Sequence, residues 1–243
     1  MIIIADELII SGSNAKIHAY NKDTGTLIWK HEIGETDHPS NHVYDEKRGL
    51  VIIGGLGSGL HALNIENGEI AWSNKQILLG WFNAPTPIIE NDLLYKRGHT
   101  EIGTINLDTG ETVSFKNMPV NFDVSGKCLI EGDLIYVATA THGVVAVTKE
   151  TFDIVRFFPT EGARLFTSPY AYGNIQTVET TPILDEDRLI FAASDGLIYV
   201  YDKKSGVLIK KINEGSPIIA TPVLKDGYFY TADFLGKVKR YKI

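Results

Sequence analysis

The sequence is short of most of what would make its chemistry easy to read. It holds one cysteine, Cys128, in 243 residues. No disulfide can close within the chain, so a disulfide-stapled small domain is excluded. No apolar run approaches the length of a membrane-spanning helix. The opening residues, MIIIADELII, carry two acids and no basic region, so a secretory leader is not expected and a cytoplasmic location is. Positive charge is also in deficit: 23 Lys and Arg stand against 30 Asp and Glu, a formal net charge of −7. Nucleic-acid phosphates need clustered cations, so that class of partner is not expected, whereas a basic protein is electrostatically suited. No stretch has a helical apolar period bounded by caps.

What the chain does have is a phrase that returns. HAYNKDTGTLIW occupies 18–29 and HALNIENGEIAW occupies 61–72. Anchored on Ala19, the matching positions are Ala62, Thr104, Ala146, Val200 and Arg240, at intervals of 43, 42, 42, 54 and 40 residues. A period near forty built from β-branched runs and Gly-containing turns is the signature of propeller blades, one four-stranded sheet per repeat. Thr-Pro opens the first strand at 86–87, 181–182 and 221–222, a place where a missing N–H is tolerated. First strands are expected to start near Met1, Asn41, Thr86, Lys127, Thr181 and Thr221. The reading is an all-β, six-bladed β-propeller in one domain, 1–243, with a three-stranded last blade. Its exposed edge, KVKRYKI, is dense in cations, which discourages pairing between copies and favours a monomer.

The phrase running from Ala19 through Thr24 and Gly25 to Trp29, and again from Ala62 through Gly68 to Trp72, resembles the pyrroloquinoline-quinone-like (PQQ-like) propeller repeat. That resemblance implies that Trp29 and Trp72 pack on the Gly turn of a neighbouring blade. Ser114, Arg156 and Lys210 stand at the equivalent places in units three to five, with Phe115 and Phe157 one residue later as partial substitutes. The quinone enzymes of the family carry eight blades, a quinone and calcium. Six repeats without an adjacent cysteine pair give no ground for transferring a cofactor, and none is expected. Other members serve as binding platforms.

Individual chemical motifs are weak. GGLGSG (54–59) lies between two strands and opens no helix, so it reads as a turn and not a phosphate cradle. His38 and His42 lack a third ligand. His18 and His61 recur in register, as strand-three furniture. No metal site or catalytic residue is expected. The irregular interval is more informative. Its twelve extra residues fall within 158–182, which carries Arg164, Phe166, Tyr170 and Tyr172. Comparable connections carry Trp81 and Phe82, and Met118 and Phe122. Aromatics and Arg on connecting loops are the residue types of protein interfaces. The expected function is a non-enzymatic, protein-binding propeller, in one version an inhibitor or immunity protein capping a basic partner. In that reading Trp81, Phe82, Phe122, Arg164, Phe166, Tyr170 and Tyr172 form the binding surface. Two alternatives stand beside it: these side chains plug a channel, or the channel mouth serves an enzyme or small-molecule binder using His99 and His142.

Overall fold

Among the described residues, twenty-three strands form six antiparallel sheets, each made of strands consecutive in sequence. The computed structural model describes residues 2–5, 8–13, 16–33, 42–55, 59–75, 86–164, 173 and 175–242. The first sheet holds β1 (Ile2–Ala5), β2 (Leu8–Ser13), β3 (Lys16–Asn21) and β4 (Leu27–Glu32). The second holds β5 (Val43–Asp45), β6 (Leu50–Gly55), β7 (Gly59–Asn64) and β8 (Ile70–Asn74). The third holds β9 (Ile88–Glu90), β10 (Leu93–Arg97), β11 (Glu101–Asn106) and β12 (Thr112–Asn117). The fourth holds β13 (Leu129–Glu131), β14 (Leu134–Ala138), β15 (Val144–Thr148) and β16 (Ile154–Phe158). The fifth holds β17 (Ile183–Asp185), β18 (Arg188–Ala192), β19 (Leu197–Asp202) and β20 (Leu208–Asn213). The sixth has three strands, β21 (Val223–Lys225), β22 (Tyr228–Ala232) and β23 (Val238–Lys242). Each first strand begins within two residues of its expected start. No helix occurs among the described residues.

The chain divides into two compact units, Met1–Asn117 with the first three blades and Met118–Ile243 with the last three. Within the first unit β1 touches β5 and β5 touches β9, so neighbouring sheets meet through their first strands, as blades do. Cores lie between faces of adjacent blades. One gathers Ile17, Ala19 and Trp29 of the first blade with Val51, Ile53, Leu63 and Ile65 of the second. Another, in the second unit, gathers Tyr136, Ala146 and Phe158 with Phe191, Tyr199 and Tyr201.

The turn between third and fourth strands explains the repeated phrase. Asn21 Oδ1 accepts from the backbone N–H groups of Asp23 (3.1 Å) and Thr24 (2.8 Å), and Asn106 Oδ1 does the same for Asp108 and Thr109. An Asx turn of this kind needs a residue at positive φ to close it. Gly25, Gly68, Gly110 and Gly206 supply that residue at 68–76°. In the fourth blade Phe152 holds the same conformation, at φ 54°, with its ring buried. Each fourth strand then carries a bulge one residue before regular pairing begins, so Ala19 faces Trp29, Ala62 faces Trp72 and Ala146 faces Arg156. A small residue opposite a large one leaves room for the large side chain to lean out of its own sheet.

Where it leans is the next blade. Trp29 Nε1 donates to the Ile65 carbonyl at 2.7 Å, and Trp72 Nε1 to the Leu107 carbonyl at 2.8 Å. The indole rings lie flat on the turns: a Cβ at Gly68 would sit 2.5 Å from Trp29 Cε3, and one at Gly110 2.6 Å from Trp72. Gly68 is therefore required twice, for its φ and for its missing side chain.

The fourth blade corrects an expectation. Phe115 and Phe157 do not substitute for the missing tryptophans. They are 39% and 48% exposed, because the next residue along a strand points to the opposite face. Arg156 substitutes instead. Its Nη1 donates to the Lys203 carbonyl at 2.9 Å, and its methylenes cover Gly206, where a Cβ would meet Arg156 Cδ at 2.8 Å. A guanidinium carries both the donor and the flat apolar stem that the indole supplied. In the third blade Ser114 hydrogen bonds Thr104 across the strand pair, at 2.6 Å.

At the same level of the first unit, Arg48 ties the second blade to the third. Its guanidinium donates to Asp45 (2.9 Å), Asp92 (2.7 Å) and Asp108 (2.6 Å). The pairing holds the Asp108 and Asp92 carboxyls below their usual range, chiefly through hydrogen bonds from Arg48 for the first and from Lys47 and Arg48 for the second. Both aspartates face solvent, so the network orients the turns more than it stabilises them.

Deleting a docked indole leaves a cavity and an orphaned carbonyl together. Trp29→Ala is expected to lower stability by roughly 3–5 kcal/mol in denaturant melts, while Phe115→Ala, on an exposed strand face, changes it by less than about 1 kcal/mol. The reverse ranking would refute the docking role.

Candidate protein-binding surface

The long connection leaves β16 after Phe158 and enters β17 at Ile183. Both of its ends are fastened to the fourth and fifth blades. β19 reads LIYVYD, and its alternation puts Tyr199 and Tyr201 on the face that packs against Phe158 and Phe191. The rings stack, Phe191 with Tyr199 at 5.3 Å and with Tyr201 at 5.8 Å between centroids. Phe158 meets the Tyr201 ring edge-on at 5.4 Å. An aromatic of this kind buries its body and carries a polar tip, and here both tips reach the connection. The Tyr201 hydroxyl donates to the Pro159 carbonyl at 2.5 Å. The Tyr199 hydroxyl donates to Asp195 Oδ2 at 2.5 Å and accepts from the Glu161 N–H at 2.8 Å.

Asp195 is the hub. Its Oδ2 also accepts from the Glu161 N–H (3.1 Å) and its Oδ1 from the Leu197 N–H (2.9 Å). Burial raises its carboxyl above the ordinary range, partly offset by the bonds from Tyr199, Leu197 and Glu161. Burial likewise pushes the Tyr201 hydroxyl up to about 12, with the Asp195 charge adding to the effect. These groups are positioned to hold backbone, since their hydrogen-bonding capacity is spent on Pro159, Glu161 and Leu197.

The returning strand of the connection is held as firmly. Gly143 N–H donates to the Gln176 carbonyl (2.9 Å), Val178 N–H to Thr139 (3.0 Å), and Thr177 Oγ1 to Ala140 (3.0 Å). The two ends meet at one bond, Ala163 N–H to the Ile175 carbonyl at 3.0 Å. Arg164 sits just past this neck. Its backbone N–H donates to Ser194 (3.0 Å), and its exposed side chain reaches the Gly215 carbonyl through Nη1 (3.1 Å). Both ends of the connection are thus tied to the rigid scaffold on either side of 165–174, and loops anchored in this way are where binding residues concentrate.

The expected surface residues fare unequally. Arg164 is exposed at the neck. Phe122 is not on a surface: it is 1% exposed, in the segment between β12 and β13, beside buried Val120 and Val124. Its ring serves packing, and so does Met118, so Phe122 offers nothing to a partner. A non-repeat connection follows the blade wall closely when it is short, and apolar side chains then turn inward. Trp81, Phe82, Phe166, Tyr170 and Tyr172 lie outside the described residues, as does His38. His142, in the turn between β14 and β15, bonds Thr141 Oγ1 (2.7 Å) and meets the Phe157 ring at a tilt, 5.8 Å between centroids, and burial lowers its pKa. His99 occupies the matching turn between β10 and β11, half-buried. His61 bonds Ser73 Oγ (2.9 Å). Cys128 forms no disulfide and is half-buried. Of GGLGSG, Gly54 and Gly55 end β6 and Gly59 opens β7 at φ 86°, while 56–58 lie outside the described residues. Among the described residues no group of three or more His, Cys, Asp or Glu is placed to hold a metal.

One feature was overlooked in the sequence. β10 reads LLYKR where β14 reads LIYVA, so Lys96 and Arg97 stand in the first unit at positions that are Val137 and Ala138 in the repeat. Both are buried, Lys96 to 3% exposure, with Gly103 opposite it leaving space for its stem. Burial, and then the charge of Arg97, lower the Lys96 pKa from 10.5 to about 8. Comparing the second strands blade by blade was the signal that exposes this pair.

The sign of the effect on stability follows. A lysine whose folded pKa is depressed is penalised wherever both states are charged, below about pH 8. The penalty fades as pH rises from there toward the unfolded value of 10.5. Lys96→Met is therefore expected to raise stability at pH 7 by about 3 kcal/mol, with the gain shrinking between pH 8 and 10.5. Denaturant melts across that range check it. A variant less stable than the parent at pH 7 would show that the ammonium is compensated.

The comparisons with known proteins agree with this architecture. Residues 13–151, more than half of the chain, match the family model described as outer membrane protein assembly factor BamB. No curated protein matches the chain. Among solved structures it is similar to BamB from Moraxella catarrhalis, with a TM-score of 0.75 at 16% identity over all of this chain and 72% of that one. It is also similar to the computationally designed Ika8 protein, with a TM-score of 0.73 at 14% identity over all of this chain and 70% of that one. At such identities the likeness speaks for the fold, an all-β propeller of six blades with three strands in the last. The chain belongs to the PQQ-like repeat family of β-propellers, the family whose model bears the name of BamB.

Proposed function

We propose that this chain is a non-enzymatic, protein-binding propeller, and that the excursion between Arg164 and Ile175 is the centre of its binding surface. The observation that carries the reading is the neck. Asp195, Tyr199 and Tyr201 commit buried hydrogen-bonding groups to hold the outgoing end of an excursion that the repeat does not need, and Ala163 closes it on Ile175. Beyond the neck the sequence supplies Phe166, Tyr170 and Tyr172, which bring apolar area and hydrogen-bonding tips at low rotamer cost. Trp81 and Phe82, on the connection between second and third blades, are assigned to the same role. The family is named for an assembly factor of outer membrane proteins, and assembly is performed by binding proteins.

The net charge of −7 favours a basic partner. In its narrower form the proposal is an inhibitor or immunity protein that caps a basic enzyme or toxin. Steering by opposite charge would make the association rate fall with added salt.

The test is a comparison of variants. A partner captured on the tagged parent chain is titrated against Phe166→Ala and Tyr170→Ala. Each substitution is expected to weaken binding by on the order of 2 kcal/mol, near thirtyfold, and to leave the melting temperature in place. Lowered melting temperature with intact binding would assign these rings to the interior and move the partner elsewhere.

A further inference from the structure

The turn between β7 and β8 differs from its relatives by one side chain. In the first, third and fifth blades the residue before the closing glycine is Thr24, Thr109 or Ser205. Its hydroxyl accepts from the N–H two places on, at 3.2–3.3 Å. Asn67 fills that place in the second blade. Its Oδ1 accepts from the Glu69 N–H at 2.9 Å, and its Nδ2 donates to Glu69 Oε2 at 3.2 Å. The structural task is the same, but the chemistry is not. Asn67 sets a carboxamide carbon beside a glycine nitrogen, on an exposed turn, and forms the one Asn-Gly pair of the sequence. Side-chain amides are among the chemically labile groups of proteins.

The Gly68 nitrogen can close a five-membered ring on Asn67 Cγ. A C–N bond forms as the amide proton passes to solvent base, and the bond to Nδ2 breaks as ammonia leaves. Water then opens the cyclic imide at either carbonyl and leaves an aspartyl or an isoaspartyl link. One water enters and one ammonia departs, with no oxidant and no cofactor. Two contacts on the turn favour the step. The Glu69 N–H that bonds Oδ1 stabilises the oxyanion formed on attack. The Glu69 carboxylate holds the nitrogen that departs.

Docking opposes it. The Gly68 N–H is donated to the Asn64 carbonyl at 2.9 Å, and the Asn64 N–H to the Glu69 carbonyl at 2.8 Å. Trp29 closes the turn from the neighbouring blade, with Nε1 on the Ile65 carbonyl at 2.7 Å and its ring against Gly68. The nitrogen is released for attack when the turn opens, a local event that undocking of the indole accompanies. Exchange of the glycine cannot protect Asn67, because a Cβ at 68 would sit 2.5 Å from Trp29 Cε3. The socket that needs Gly68 therefore keeps the labile pair in place.

We propose that Asn67 is a site of spontaneous modification, converted by the Gly68 nitrogen into aspartyl and isoaspartyl forms at a rate set by the docking of Trp29 on that turn. An isoaspartyl link adds a backbone carbon before Gly68 and takes the glycine out from under the indole. The full chain is incubated in mildly alkaline buffer. Conversion at Asn67 is followed by peptide mass spectrometry and by labelling with an isoaspartyl methyltransferase. The free peptide HALNIENGEIAW supplies the undocked rate. The parent is expected to convert at Asn67 at least tenfold more slowly than the peptide. Trp29→Phe keeps a flat ring and removes the donor, and is expected to speed conversion at least threefold. Trp72→Phe makes the same change at the next socket and is expected to leave the rate unchanged. Asn67→Thr restores the residue type of the sister turns and is expected to abolish the mass gain, with the fold retained by circular dichroism. A parent as fast as the peptide, no conversion of the parent through many half-lives of the peptide, or equal acceleration by the two Phe substitutions would overturn the proposal. So would a mass gain in this turn that survives Asn67→Thr.

Discussion

A hydrogen bond to one carbonyl docks the first blade on the second, the second on the third and the fourth on the fifth. The carbonyl belongs to the residue that follows the third strand: Ile65, Leu107 or Lys203. A four-stranded sheet has no intrinsic reason to stop beside another at one place. The docked side chain gives it one, because a donor must reach that oxygen while its flat body covers a glycine. The requirement propagates backward into the sequence. It asks for Asn or Asp to start the turn, Gly to close it, a bulge to set the register and a small residue opposite the docking side chain. Those are the residues that recur near every forty positions, and they recur because they act together.

Once turns are fixed in this way, the connections between blades are released from holding the sheets. The segment 118–128 takes up the slack by packing inward through Met118, Val120, Phe122 and Val124. The connection after β16 is fastened by hydrogen bonds at both ends. Its outgoing end is clamped by two buried tyrosines and an aspartate, its returning end by backbone bonds to Gly143 and Thr139, and the two meet at the bond from Ala163 to Ile175. A buried carboxyl is costly, and burial raises the Asp195 pKa accordingly. Retaining it where an apolar residue would pack more cheaply is the mark of a position chosen for the geometry of the loop.

Much of this was legible beforehand, for a physical reason. Blades repeat because one docking geometry repeats, so the anchors at Ala19, Ala62, Thr104, Ala146, Val200 and Arg240 located every third strand, and the strand starts followed. The exchange of Trp for Arg156 was not legible as docking, because a sequence comparison treats an indole and a guanidinium as unrelated, whereas the socket reads only a donor on a flat stem. Phe122 was misplaced because connections have no period, and periodicity is what assigns a face. The Lys96–Arg97 pair was passed over because a search for active groups looks to loops, and these cations lie in the interior of a strand.

The account stands on the sockets being equivalent, which one substitution examines directly. Arg156→Trp restores in the fourth blade the residue that the first two use, with Ala146 opposite, Gly206 beneath and the Lys203 carbonyl in reach. If the sockets are the same, the denaturation midpoint of this variant equals or exceeds that of the parent, and the new indole emits as a buried one. A loss of about 2 kcal/mol or more, the size expected of an overpacked core, would contradict the claim that one docking interaction organises these blades.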